Sequence, residues 1–454
     1  MPSWRSSMRW RRKRSVDRST ERTLKASVRE EVASRLRAGQ ASPSAVEALI
    51  REVVGQVAFE QGELLSLYEL ESLAGGIVDD FLRYGPLQPL LDDPAVTEIM
   101  VNGGGVDEAD PALPFRAPVV YVERAGLIEH RPDIVFDDAD HVRRIINKIA
   151  EQAGMRCDET HAMGCAMLPG GRARATYVVP PISPDGPALN VRTFSDGMLS
   201  MEDLLGVGAL PAAMADFLCA AVQARCPIVI SGGTGSGKTT LLGALSGFIP
   251  AGERVITIED TPELRLQTAH VERMQTREAN VEGEGAVGMR ELVALSLRRR
   301  PDRIIVGECR GAEAYDMLQA MQTDHPGSMT TIHANDPSNA LSRLRTMVGY
   351  ADGDLSREVI AQQIAESLQG GLIVHVERMR DGTRKVTSVV SVDPLPEGST
   401  VIPRAELFAY DVEGIDANGW VVGAWRPCGV QPQGIKARMR AAGIPFDPAW
   451  FFGS

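Results

Sequence analysis

Gly232-Gly233-Thr234-Gly235-Ser236-Gly237-Lys238-Thr239 fits the spacing G-x-x-x-x-G-K-[ST] of a phosphate-binding loop. Apolar Ile228-Val229-Ile230 precedes it, and the helix-compatible run Leu241–Leu245 follows. Glycines let backbone N–H groups crowd around phosphate oxygens where a Cβ would block the path. The N-terminus of the following helix adds a dipole that favours anions. Lys238 then reaches the β- and γ-phosphates, and the Thr239 hydroxyl holds Mg2+. The glycine pattern alone can arise by chance, but the flanking strand and helix select the phosphate reading.

A triphosphate site also needs an acid at a second strand end. Two candidates occur: the strand Val255–Ile258 ends in Glu259-Asp260, and Ile304–Val306 ends in Gly307-Glu308. In a parallel sheet the carboxyl ends of the strands line the ligand crevice, so both acids would face the γ-phosphate. A carboxylate there can orient the attacking water or hold Mg2+ through water, the latter suiting Glu308. Strand-end acids are also common as solvated caps; the phosphate loop tips the balance toward chemistry. His333, in the run Gly327–Asn335, follows an apolar position at a further strand end and could donate to a γ-phosphate oxygen. By spacing alone it reads better as a structural histidine.

The elements that must position these residues alternate. A helix near Ala212–Arg225, the strand before the loop, the helix Lys238–Gly247, the strand Val255–Ile258, the helix Met289–Leu297 and the strand Ile304–Val306 predict a parallel sheet wrapped by helices. From about Asp393 short strands and turns follow. Upstream, residues 90–194 mix short strands with a helix near His141–Ala153, an α+β pattern, and the Gly-, Pro- and Asp-rich stretch 103–117 reads as an inserted loop. Residues 31–83 are helix-rich, with Val46, Leu49, Ile50, Val53 and Val54, then Leu64, Leu67, Leu70, Leu73 and Ile77, at helical spacing. Tyr84-Gly85-Pro86 breaks that pattern, and Ser195-Asp196-Gly197 begins a linker. The expected division is a basic arm with helices over 1–76, an α+β domain over 77–196 and an α/β phosphate-loop domain over 197–454.

The chain has 454 residues and a net charge of −12. Residues 1–30 carry +7 and the remainder −19. An acidic body argues against nonspecific nucleic-acid binding as the main activity. The basic arm could touch anionic lipid or nucleic acid, or be a solvated, disordered terminus. No apolar run follows it, so no signal peptide is expected, and no run reaches the roughly 18 apolar residues of a spanning helix. Six scattered cysteines form no C-x-x-C pair, so no zinc site is expected, and reduced thiols point to the cytosol.

Together these elements resemble the type II/type IV secretion ATPase family, most specifically the CpaF/TadA-type ATPases of Tad pili, with VirB-type conjugation ATPases as the nearest cousins. The carrying residues are Ser231–Thr240 (SGGTGSGKTT), Ile258–Leu264 (IEDTPEL), Arg300–Gly311 (RPDRIIVGECRG) and Leu318–Asn335. Tyr84–Leu91, Thr97–Asn102, Val191–Phe194 (VRTF) and Arg378–Thr387 (RMRDGTRKVT) extend the likeness over about residues 77–445. The resemblance implies a RecA-like C-terminal domain, a smaller N-terminal domain, ATP and Mg2+ bound between them, and a homo-hexameric ring. It adds Thr240 to the phosphate loop, makes Glu259 part of the family's Asp-box, Glu308 the Walker B glutamate and His333 part of the His-box. Arg192, in VRTF, matches an N-terminal-domain arginine near the phosphates, where a guanidinium can neutralise the transferring phosphoryl group.

There are departures. Where the family has R-L-P-D-G-S-R, this chain has Met167–Arg174, and the spacing to Pro180-Pro181 is one residue longer. Arg174 fits the second arginine counted back from the prolines, and Arg172 fits counted forward. Gln322 and Asp324 replace the usual Asn and Gly. The four-cysteine zinc module of the extension-motor relatives is missing, which favours the Tad-type branch. The implied function is an ATP-driven motor for pilus assembly or secretion, cytoplasmic, peripheral at the membrane's cytoplasmic face and working on inner-membrane platform proteins, with no sequence-specific nucleic-acid binding. A nucleic-acid-translocating RecA-like motor and a weakly turning, nucleotide-gated assembly module are the alternatives.

Overall fold

The computed structural model describes residues 18–36, 42–104, 117–124, 126–194, 199–277, 279, 284–323, 325–351 and 355–452. The start of the basic arm, most of the expected insert at 103–117 and the expected linker at Ser195-Asp196-Gly197 lie outside them. The chain divides between Thr193 and Phe194 into two units.

The first unit begins with three helices, α1 (Arg18–Leu36), α2 (Pro43–Glu60) and α3 (Leu67–Leu82). The second half of the basic arm is therefore helical. Leu24, Val28 and Val32 recur every fourth residue and bury a narrow stripe that the surrounding charges hide in the composition. Ser42 caps α2 by accepting from the Ala45 N–H, and Ser66 with Glu69 forms a capping box on α3. Because α3 starts only at Leu67, its buried stripe is Leu73, Ala74, Ile77 and Val78. Leu64 and Leu67, expected on that stripe, are exposed. The domain boundary expected at 76/77 falls inside α3.

A four-residue helix α4 (Gln88–Leu91) leads into strands β1 (Val96–Asn102), β2 (Val119–Arg124) and β3 (Leu127–His130), helix α5 (Ala139–Gln152), and strands β4 (Met163–Met167), β5 (Ala173–Val178) and β6 (Ala188–Thr193). The strands form one antiparallel sheet of order β3-β2-β1-β6-β5-β4. Val142, Ile145, Ile146 and Ile149 of α5 share its core with Ile99, Val101, Val122 and Leu189.

A buried ionic cluster ties α1 and α3 to this layer. Arg29 donates to Asp80, and to Asp137 at 2.9 Å; His141, itself buried, bridges the same carboxylates at 2.9 Å (Asp80) and 3.3 Å (Asp137). Gly85 sits at φ +55°, and a Cβ there would lie 2.5 Å from the Asp80 Oδ1, so glycine makes room for the cluster. Lys148 of α5 donates to the carbonyls of Asp80 (2.9 Å), Phe81 (2.9 Å) and Arg83 (2.6 Å), satisfying the C-terminal turn of α3.

The second unit contains helices α6 (Met201–Gly206) and α7 (Ala212–Gln223), strand β7 (Ile228–Gly232), helix α8 (Lys238–Ser246), strands β8 (Val255–Glu259) and β9 (Val271–Gln275), helix α9 (Met289–Ser296), strand β10 (Arg303–Cys309), helix α10 (Glu313–Gln322), strand β11 (Met329–His333), helices α11 (Pro337–Ala351) and α12 (Arg357–Leu368), strands β12 (Leu372–Arg378), β13 (Arg384–Val392), β14 (Arg404–Ile415) and β15 (Val421–Pro427), and helix α13 (Gln433–Ala441). Its sheet runs β15-β14-β13-β12-β7-β11-β10-β8-β9. The six strands from β12 to β9 are mutually parallel, with helices on both faces, which is the α/β RecA-like arrangement expected. Ile228 and Ile230 face a core that includes Leu242, Leu245 and Phe217, while Val229, Ile256 and Ile304 face Val293, Leu318 and Leu344. The tail differs from its expected patchwork: β13, β14 and β15 extend the sheet antiparallel. Among the described residues no helix is long and apolar enough to cross a membrane.

The ionic cluster sets a pH window. Although burial alone would lower it, hydrogen bonds to Asp137 and Asp80 raise the His141 pKa. His141 therefore contributes stability below its ordinary value of about 6.5, lost as pH rises through the raised one. Against the opposing effect of burial, His141 and Arg29 lower the pKa values of Asp80 and Asp137. Their contribution is present above the ordinary carboxylate value and lost as pH falls through the lowered ones. Hydrogen-exchange protection of the α1 amides, taken relative to the intrinsic rate at each pH, should be greatest in mildly acidic buffer. Arg29→Ala should lower it by destabilising the docked helix by about 2–4 kcal/mol, because it strips a cation from a buried cluster. Unchanged α1 exchange in that variant would refute the assignment.

Candidate functional site

Strand β7 runs into the phosphate loop beside β12, with Gly232 paired to Val376. A Cβ on Gly232 would collide with the Val376 carbonyl and the Ser236 hydroxyl, so only glycine lets the chain turn there. Gly237, at φ +97°, caps α8. The Lys238 ammonium lies over the loop, donating to the carbonyls of Gly232 (3.0 Å) and Gly233 (2.8 Å). Ser236 is buried, and its hydroxyl has no hydrogen-bond partner among the described residues. Thr239 and Thr240 are half-buried in the first turn of α8, and Thr234 is exposed. A buried unpartnered hydroxyl, a flexible ammonium and a helix N-terminus form a donor set that fits a polyphosphate. Thr239 and Glu308 are the residues here with the oxygen chemistry to hold Mg2+.

Strand β11 lies between the loop strand and β10. His333 ends β11 as the direct partner of Gly232, beside the loop's first glycine. Glu308, near the end of β10, is half-buried and accepts from Arg310 Nε (3.0 Å) and Nη2 (2.6 Å). Glu259 ends β8 with only 4% of its surface exposed. Its Oε2 accepts from the Glu263 and Leu264 N–H groups, both at 2.8 Å, which folds the following loop around the carboxylate. Its Oε1 has no hydrogen bond among the described residues, and the Arg273 guanidinium stands 4.0 Å away. Burial pushes the Glu259 carboxyl up to about 7, outweighing the two N–H donors and Arg273. Gly307 makes this possible: a Cβ there would lie 2.8 Å from Glu259 Cγ. The loop, His333, Glu308 and Glu259 thus lie at the carboxyl ends of four strands of one sheet.

The two candidate arginines belong to the first unit, and register separates the alternatives there. Arg174 of β5 is the direct cross-strand partner of Arg192 of β6, with Glu98 of β1 opposite Arg192 on the other side. Arg172 sits in the turn before β5, which Gly170 (φ +85°) and Gly171 (φ +68°) shape.

Three residues near the loop carry no role in the sequence reading. His375 of β12 is buried, and its Nδ1 is 2.9 Å from the Ser231 hydroxyl at the base of the loop. Burial, opposed by Asp336 and reinforced by Lys238, lowers its pKa, which keeps the ring neutral. A lone histidine inside the apolar run Leu372–Val376 is the signal that could have found it. Arg384 donates from Nε to the Gly235 carbonyl at 2.9 Å, and Arg378, its partner across the β12–β13 pair, points at the same glycine. Both lie in the RMRDGTRKVT stretch, about 140 residues beyond the loop.

The Type II/IV secretion system protein family model matches residues 107–388. The chain belongs to that family. Its relatives in the type II/IV secretion family include a Mycobacterium tuberculosis protein named for conjugal transfer, 35% identical over 67% of this chain and 83% of its own length. The type IV secretion system protein PtlH of Bordetella pertussis is 36% identical over 68% of this chain and 94% of its own. The conjugal transfer protein TrbB of Rhizobium radiobacter is 32% identical over 67% and 85%. Among solved structures the chain is similar to the VirB11 ATPase of the Brucella suis type IV secretion system, at 29% identity, 67% and 94% coverage and a TM-score of 0.34. By family the protein is thus a type II/IV secretion system protein.

Glu259 gives this family member a measurable signature. A carboxyl whose folded pKa lies above its unfolded one disfavours the fold as it ionises. Stability should therefore fall as pH rises from 4.5 toward about 7. Glu259→Gln keeps an oxygen for the Glu263 and Leu264 N–H groups and carries no charge. Its Tm should lie close to wild type at pH 5 and exceed it at pH 8 by several °C, at roughly 2–4 °C for each kcal/mol of ionisation penalty removed. A variant melting lower than wild type at both pH values would contradict the burial argument.

Proposed function

We propose that this protein is an ATP-hydrolysing motor of a type II/IV secretion or Tad-type pilus system. The observation that carries the proposal is the single sheet edge that holds Lys238, His333, Glu308 and Glu259 beside the phosphate loop. Lys238 leaves the loop carbonyls for the β- and γ-phosphates and the backbone N–H groups of 233–239 cradle them, while Thr239 and Glu308 would hold Mg2+. The metal ion, when bound, neutralises phosphate charge. Glu308 exchanges its contact with Arg310 for the attacking water and accepts its proton, while His333 donates to a γ-phosphate oxygen and the Glu259 loop shapes the far wall.

Arg192 and its neighbour Arg174 serve as the trans arginines of a hexamer, neutralising charge on the transferring phosphoryl group. Their shared face on adjacent strands supports this and favours Arg174 over Arg172. The motor works at the cytoplasmic face of the membrane on platform proteins, with residues 1–30 contributing attraction to anionic lipid. The Tad-type branch is supported by the quoted motifs and by six free, dispersed cysteines where extension motors carry a zinc module.

Three substitutions separate the roles in a coupled phosphate-release assay with parallel nucleotide binding. Lys238→Ala should abolish hydrolysis and weaken binding. Glu308→Gln should preserve ATP binding and slow hydrolysis. Arg192→Ala should keep its Tm and binding while losing roughly 10–100-fold in turnover, less than the 10³–10⁵ of the best-studied arginine fingers because domain motion also limits a motor. Near-wild-type turnover in Lys238→Ala would sink the ATPase proposal. An Arg192→Ala protein that melts early yet hydrolyses normally would make that arginine structural.

A further inference from the structure

We infer that Arg384 is a positioning residue that braces the phosphate loop from its outer side and aims a loop N–H group at the nucleotide. This rests on the ATP reading above and names a residue that it leaves without a role.

The contact is specific. Arg384 Nε donates to the Gly235 carbonyl at 2.9 Å across 149 residues of sequence. Its stem passes the next turn of the loop: a Cβ on Gly237 would lie 3.3 Å from Arg384 Cδ. Gly235 itself is at φ +68°, a conformation glycine adopts freely and could as freely leave. In a planar trans peptide the carbonyl oxygen and the following N–H point in opposite directions. Holding the Gly235 carbonyl outward therefore turns the Ser236 N–H inward. Among the described residues that N–H makes a single long 3.4 Å contact, with the Gly233 carbonyl, so it is available to a stronger acceptor such as a phosphate oxygen.

Arg384 is exposed, and a surface arginine would ordinarily wander. Here its backbone is fixed on both sides. Lys385 donates to the Gly208 carbonyl at 2.5 Å, the Val386 N–H donates to Ala209 at 2.8 Å, and Trp425 Nε1 donates to the Val386 carbonyl at 2.8 Å. On the other side Asp381 accepts from the Thr383 N–H (2.8 Å) and hydroxyl (2.7 Å) and from the Val421 N–H (2.7 Å). The turn before β13 is thereby tied to β15. Arg378 lies across the strand pair with its Nη1 3.6 Å from the position a Gly235 Cβ would take, which adds positive charge beside the same peptide.

A brace of this kind acts on ground-state binding. The full chain should be compared with Arg384→Ala and Arg384→Lys by titration with ADP and ATP in Mg2+, by steady-state hydrolysis and by thermal melting. Arg384→Ala should raise Kd for both nucleotides and KM for ATP by about two- to tenfold, the range of one net hydrogen bond. The KM rise should exceed any fall in kcat. Arg384→Lys, which still carries a donor to Gly235, should recover part of the loss. Nucleotide affinity in Arg384→Ala equal to wild type, a fall in kcat at constant KM, or a lowered Tm with unaltered affinity would each overturn the brace. Lys238→Ala distinguishes the levels. If wild type and Arg384→Ala bind equally while Lys238→Ala does not bind, only the brace fails. If wild type itself does not bind ATP, the ATP reading fails.

Discussion

At Gly232 the carbonyl of Val376 on the neighbouring strand comes so near that a side chain has no room. The course of the phosphate loop follows from that close approach of two backbones. It forces the chain off the sheet at the end of β7, where the loop can curl back through Gly235 and Gly237 and deliver Lys238 to the start of α8. It also fixes β12 against the loop strand, which places His375 at the loop's base and carries Arg378 and Arg384 to its outer side. On the other flank β11 pairs with the same strand and sets His333 beside Gly232. Adding one methyl group at Gly232 would therefore disturb β12 and the loop's own Ser236 together.

Charge is distributed around this frame so that the two acids sit in different surroundings. Glu259 is withdrawn from water, tied down by two loop N–H groups and biased toward its neutral form, which suits a residue that shapes a wall. Glu308 is half in solvent and held by one exposed arginine, a contact worth little that can be exchanged without large cost. A carboxylate that must meet water or a metal ion belongs in the second setting. Burial, helped by the nearby Lys238 ammonium, keeps His375 uncharged at the base of the loop.

How much of this the sequence discloses depends on the range over which each feature is encoded. The phosphate loop is local: its glycines, its lysine and its flanking strand and helix are contiguous, and the structure shows that strand–loop–helix. The strand-end acids were visible because buried parallel strands read as apolar runs with abrupt ends. Register is encoded less directly. Arg172 and Arg174 could not be told apart by counting from the prolines, because the Gly170-Gly171 turn decides which one lies on the strand. Leu64 and Leu67 fit a helical stripe numerically, but the Ser66 cap starts the helix too late to bury them. The α1 stripe was masked by its charged neighbours, and Arg384 meets Gly235 only through a hairpin that local patterning does not join to the loop.

The central claim is that this sheet edge is a magnesium-dependent ATP site that turns over. The most direct measurement is phosphate release by the purified full chain, with ATP binding followed in parallel, in buffer containing Mg2+ and in buffer containing a chelator. The account predicts saturable ATP binding and steady phosphate release with Mg2+, and a collapse of release in the chelator. A chain that fails to bind ATP, or that releases phosphate equally well without divalent metal, would contradict it.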